Sequence, residues 1–101
     1  MKSWQYATTE ERQIYKSIEM LFSKHSYLLD HLFSHQEPRL LGSSERILNQ
    51  SKGFSTGEQI LIRMGIDLWN SEGGAQFSEI LRHLDEENFS NFILTLQFLH
   101  K

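Results

Sequence analysis

Residues 55–70 constrain the fold more than any other stretch, because they read as a helix that is apolar almost all the way round. Ser55 can accept the amide of Glu58 while Glu58 reaches back to the amide of Ser55, the reciprocal pattern of a capping box. Gln59, Arg63, Asp67 and Asn70 then recur at steps of four, four and three, which confines them to one narrow polar stripe. Ile60, Leu61, Ile62, Met64, Ile66, Leu68 and Trp69 fill the remaining circumference. A helix of this kind is covered by its neighbours on most sides. The sequence therefore predicts a central buried helix over residues 56–69, with the other elements packed around it.

The remaining chain also reads as helix. Thr8 and Glu11 form a second capping box, followed by Ile14, Ile18, Leu21, His25, Leu28 and Leu32 at alternating steps of four and three. Tyr15, Phe22, Leu29 and Phe33 widen that seam, and no glycine or proline interrupts residues 9–35. This predicts one long N-terminal helix, with a kink near Ser23–Ser26, ending before Pro38. Pro38 to Gly42 reads as a single helical turn, with proline at its first position. Ser43 or Ser44 can cap a short helix through Ile47 and Leu48 that closes at Gly53.

After the central helix, residues 70–74 (Asn-Ser-Glu-Gly-Gly) form a loop whose glycines permit positive φ. A short helix follows over residues 77–84, and Asp85 caps the last one, where Glu86 and Glu87 suit the helix dipole. Phe89, Phe92, Ile93, Leu96 and Leu99 supply the buried face of that final helix. No period-two strand pattern is present. The fold class is all-α, a small domain of about five helices formed by residues 1–101 as one unit. Residues 1–7 read as a flexible lead-in, although Trp4 and Tyr6 suggest contacts of their own.

Composition narrows the chemistry. The 101 residues contain no cysteine, which removes disulfides, thiolate metal sites and a cysteine nucleophile. The net charge is −3, with residues 1–53 at +1 and residues 54–101 at −4, so the basic footprint of a nucleic-acid binder is missing. No apolar leader and no membrane-length apolar run is visible, and a cytoplasmic location is the expectation.

The C-terminal half resembles an uncharacterised family of small Firmicutes proteins. The resemblance is carried by Ser55, Gly57 and Glu58, by Leu68 with Asn70, and by the run from Leu84 through Asp85, Glu86, Glu87 and Asn88 to Phe89. It implies a bacterial or bacteriophage source and brings no catalytic role with it. Capping by itself accounts for Ser55, Glu58 and Asp85, and Gly57 is expected to admit a close neighbour.

Three constellations could carry function. His31 and His35 stand four apart, a spacing that lets two imidazoles share a metal on a helix, with Asp30 or Glu37 as a third ligand. A small metal-dependent enzyme is the reading that follows from this pair. The last two helices with their tight junction resemble a degenerate helix-turn-helix, but Glu86 and Glu87 stand where phosphates would be met. The third constellation is the long seam, which is longer than the short C-terminal helices can cover and so predicts a protein partner or a second copy. Leu28 and Leu32 are its candidate contact residues, joined by Trp69 and Asn70 at the end of the central helix and by the carboxylates Glu86 and Glu87. The reading favoured by the sequence is a non-enzymatic interaction or regulatory module, self-associating or acting on a larger host protein. It assigns no cofactor, no metal and no small-molecule substrate, with nucleic acid disfavoured and no membrane contact.

Overall fold

The computed structural model describes residues 4–100, which fold into six helices with no strand among them. In chain order these are α1 (Thr9–Leu21), α2 (Leu28–Leu32), α3 (Ser44–Gln50), α4 (Thr56–Asn70), α5 (Phe77–His83) and α6 (Glu86–Leu99). Every N-terminal cap expected from the sequence is in place, although α3 closes at Ser51 and not at Gly53. Thr8 and Glu11 close a capping box on α1, Ser55 and Glu58 close one on α4, Ser43 caps α3, and Asp85 caps α6.

The central helix is buried as expected. Ile60, Leu61, Ile62, Met64, Gly65 and Ile66 of α4 are all buried. Its polar stripe pins the surrounding loops. Gln59 donates to the carbonyls of Lys52 and Phe54, Arg63 pairs with Glu79, Asp67 receives the loop after the helix, and Asn70 donates to Ser44. Gly65 allows the closest approach in the core. A Cβ there would lie 2.7 Å from Phe22 Cζ and 3.3 Å from Leu32 Cδ2, so the bare backbone is what lets both side chains seat against α4.

That seating corrects the expectation of one long N-terminal helix. The chain stays helical to Leu21, turns through Phe22–Tyr27, and resumes as α2. Neither glycine nor proline makes the break. Phe22, Leu28, Leu32 and Phe33 are all fully buried, which one straight helix with a single face could not achieve. Packing onto α4 overrides a continuous helical pattern, and Ser23 and Ser26 sit where the cost is least.

Two further expectations change. Residues 38–42 form no helical turn. Phe33 and Leu40 make an isolated antiparallel bridge, flanked by Leu41 N–H donating to Leu32 at 2.8 Å and Ser34 N–H donating to Arg39 at 3.0 Å. Gly57 has no neighbour within 4 Å of where its Cβ would be, so it admits no close contact.

Of the expected flexible lead-in, residues 1–3 lie outside the described residues, while Trp4 is firmly held. Its ring packs edge-on to Tyr15 at 4.6 Å and lies 5.8 Å from both Phe33 and Trp69. Arg12 adds a hydrogen bond to the carbonyl of Trp4 at 2.6 Å. Tyr6, in contrast, is 89% exposed.

Candidate protein-binding face

The loop after α4 determines where the last two helices go. Ser71 takes the left-handed conformation at φ 67° and ends α4. Asp67 then accepts the amides of Gly73 at 2.7 Å, Gly74 at 3.0 Å and Ala75 at 2.8 Å, so both carboxylate oxygens are occupied. Gly73 is required here because a Cβ would fall 1.8 Å from the carbonyl oxygen of Arg63. The locked loop delivers the start of α5, and an Arg63–Glu79 ion pair at 2.8 Å holds α5 beside α4.

The start of α6 is fixed separately. Asp85 accepts the amide of Asn88 at 2.8 Å and pairs with Lys24 at 2.9 Å, while Glu87 lies 3.4 Å from the same lysine. The Asn88 amide first, and then Lys24, hold the Asp85 carboxyl below its ordinary range.

α6 packs chiefly on α1, with two polar residues buried beside partly buried Phe89, Phe92 and Phe98. Asn88 and Thr95 are buried, and Thr95 Oγ1 donates to the carbonyls of Asn91 at 2.8 Å and Ser17 at 3.3 Å. The apolar face expected to be buried is covered only in part. Phe89 and Phe92 pack against the core, while Ile93 is 38% exposed, Leu96 42% and Leu99 36%. Periodicity correctly groups these residues on one side, and α6 is rotated so that Asn88 and Thr95 share the buried positions with them.

On α5, Phe77 is 76% exposed and lines a cavity together with Phe92 and Leu96, and Leu81 is 70% exposed. That cavity, of about 260 Å³, lies between α5 and α6, walled by Leu21, Met64, Leu68, Phe77, Phe92 and Leu96. Among the described residues, the only charged group in its wall is Asp67, whose oxygens are already engaged. The result is an apolar groove that no described residue fills.

The contact residues suggested by the sequence fall elsewhere. Leu28 and Leu32 are fully buried, so they belong to the core and present no surface to a partner. The seam they extend is covered because α2 folds back onto α4. Trp69 is half-buried, 5.0 Å from Phe33 and 5.8 Å from Trp4. Asn70 is exposed but tied to Ser44 and Glu72, each at 3.0 Å. Glu86 and Glu87 are exposed at the start of α6 and do not line the cavity.

The histidine pair does not share a helical face, because α2 ends at Leu32 and His35 lies beyond it. His31 Nε2 sits 2.9 Å from Ser51 Oγ and its ring packs on Phe54, while His35 is 3.3 Å from Asp30. Among the described residues, no three His, Cys, Asp or Glu side chains converge as a metal site.

Phe77, Leu81, Ile93 and Leu96 form the face that sequence reasoning missed as a surface. One signal was available: residues 88–99 contain no charged side chain. Compared with family models, curated proteins and solved structures, the chain matches none. Among the described residues, no helix is long and apolar enough to cross a membrane.

Proposed function

We propose that this chain is a non-enzymatic protein-interaction module whose working surface is the apolar groove between α5 and α6. A single observation carries the reading: α6 turns buried Asn88 and Thr95 inward and leaves Ile93, Leu96 and Leu99 outward. Burying a leucine-sized side chain is worth about 1.5–3 kcal/mol, so a helix in this orientation gives up stability that a partner can restore. Exposed apolar patches of this extent commonly mark interaction sites. The lining is nearly free of charge, which suits an apolar helix face from another protein better than a polar ligand or a nucleic acid.

The likeness of the C-terminal half to small Firmicutes proteins supports a bacterial or bacteriophage setting, with action in the cytoplasm on a larger host protein or on a copy of itself. The test is capture from a bacterial lysate with immobilised wild type, Leu96→Asp and Leu94→Asp proteins. Leu94 is 53% exposed and lies about 200° round the helix from Leu96 at 3.6 residues per turn. A partner retained by wild type and Leu94→Asp but lost with Leu96→Asp supports the reading. Identical capture by all three, together with a monomeric wild type, overturns it.

A further inference from the structure

We propose that the partner for the exposed side of α6, which borders this groove at Leu96, is a second copy of the chain, with the two α6 helices packed antiparallel about a two-fold axis at Ile93. This rests on the interaction reading above and specifies its occupant. Glu86, Phe89, Ile93 and Leu96 of α6 and its C-cap His100 follow one another at steps of three, four, three and four. That spacing places them on one line of the helix, the geometry of a helix–helix seam. Glu86 and His100 are both exposed.

The line reads acid, three apolar residues, imidazole, and it complements itself in one orientation only. Rotation about Ile93 brings each Glu86 opposite the other copy's His100, and each Phe89 opposite the other copy's Leu96. An imidazole N–H donates to a carboxylate in either protonation state. Parallel pairing would instead set Glu86 against Glu86, a like-charge contact that disfavours it. Because residues 88–99 carry no charge, the antiparallel seam buries none without a partner. A two-fold contact also closes on itself and stops at the dimer.

The area is sufficient. Taking roughly 200 Å² for a fully exposed large side chain, the open portions of Phe77, Leu81, Ile93, Leu96 and Leu99 amount to about 500 Å². A standard interface removes about 800 Å² from each partner, with an apolar centre inside a polar rim. The α5–α6 face supplies that centre, and Glu86, Gln97 and His100 belong to the rim.

The test is sedimentation equilibrium of the purified protein from about 1 to about 300 μM, the range in which an interface of this size is expected to titrate. The mass should rise from 11.9 kDa towards twice that value. Ile93→Asp should weaken self-association at least about tenfold while helical content is kept, as removal of a central contact does. Glu86→Lys should weaken it too, and adding His100→Glu to that variant should restore it. Since the chain has no cysteine, Ile93→Cys should be joined to itself by a short bis-maleimide whereas Leu94→Cys is not. A monomer at every concentration overturns the proposal, as does a dimer unaffected by Ile93→Asp. If the protein is monomeric but Leu96→Asp still abolishes capture of another protein, only the second-copy assignment falls. If capture is also unaffected, the interaction reading falls with it.

Discussion

Trp4 Nε1 donates to the carbonyl oxygen of Ser34 at 2.8 Å, joining the start of the described chain to the loop that follows α2. The indole is only 4% exposed and sits among Tyr15, Phe33 and Trp69. Trp4→Phe should cost about 1 kcal/mol for the lost hydrogen bond, and more if Ser34 is left without another partner. Trp4→Ala should cost about 3–5 kcal/mol through the cavity it leaves. Urea unfolding of both variants checks this; equal stability of Trp4→Ala and wild type would show that the residue contributes nothing to the core.

Asn88 is 3% exposed, and its buried Oδ1 has no hydrogen-bond partner among the described residues. A buried acceptor in that state costs about 1–3 kcal/mol. Asn88→Leu, similar in size and free of the polar oxygen, should therefore raise stability by about 1 kcal/mol. A lower melting temperature for this variant would contradict the assignment. The Asp85 cap is not disturbed, because it uses the backbone amide of residue 88.

Two glycines should respond to alanine in opposite directions. At Gly73 the new Cβ would strike the Arg63 carbonyl, forcing the Asp67 loop apart, with an expected loss of at least about 2 kcal/mol. At Gly57, inside the first turn of α4 with open space around it, alanine should add about 0.5–1 kcal/mol through helix propensity. Thermal unfolding of the two variants side by side is the measurement, and a shift in the same direction for both would refute the contrast.

Acid should weaken the fold in two stages. Burial holds the His31 pKa below its ordinary 6.5, so the unfolded chain gains a proton there before the folded one does. The stability tied to neutral His31 is complete above that ordinary value and is lost as pH falls through the folded one. Further down, the Tyr27 hydroxyl first and the Ser55 amide next hold Glu58 below its ordinary 4.5. Asp85 is held below 3.8 in the same sense. Their contributions persist above the ordinary carboxylate range and disappear as pH falls through the lowered values. Melting temperature against pH should show both declines. His31→Gln should remove the upper one and Tyr27→Phe should reduce the lower one.

The helix starts were legible because a cap is local chemistry: Thr8 with Glu11 and Ser55 with Glu58 each settle their own amides. The covered circumference of α4 was legible for the same reason, since it needs no knowledge of which neighbour does the covering. The break after Leu21 was legible only as a kink near Ser23–Ser26, not as the end of the helix. It is set by Phe22 and Leu32 meeting Gly65 from far along the chain, and residues 22–27 hold no breaker that would announce it. The groove was half legible. Periodicity groups Phe89, Ile93 and Leu96 on one side of α6, but which side meets the core depends on Ser17 and Thr95 finding each other. Leu28 and Leu32 were misassigned as surface because a pattern shared with Ile14 and Ile18 cannot reveal that the chain has turned back.

The Thr95–Ser17 contact spans 78 positions, and α1 meets α6 more extensively than any other helix. A chain leaving the ribosome can cap and form α4 early, yet α1 lacks its main cover until the sixth helix has been made. Closing a loop of that length costs about 4 kcal/mol of entropy, which the α1–α6 contact offsets. Ile18 and Leu21, fully buried in the fold, meet α4 first and depend on α6 for the rest of their cover. The helix that rescues them last is the same one that carries the open apolar stripe, so completion of the fold and display of the groove are a single event.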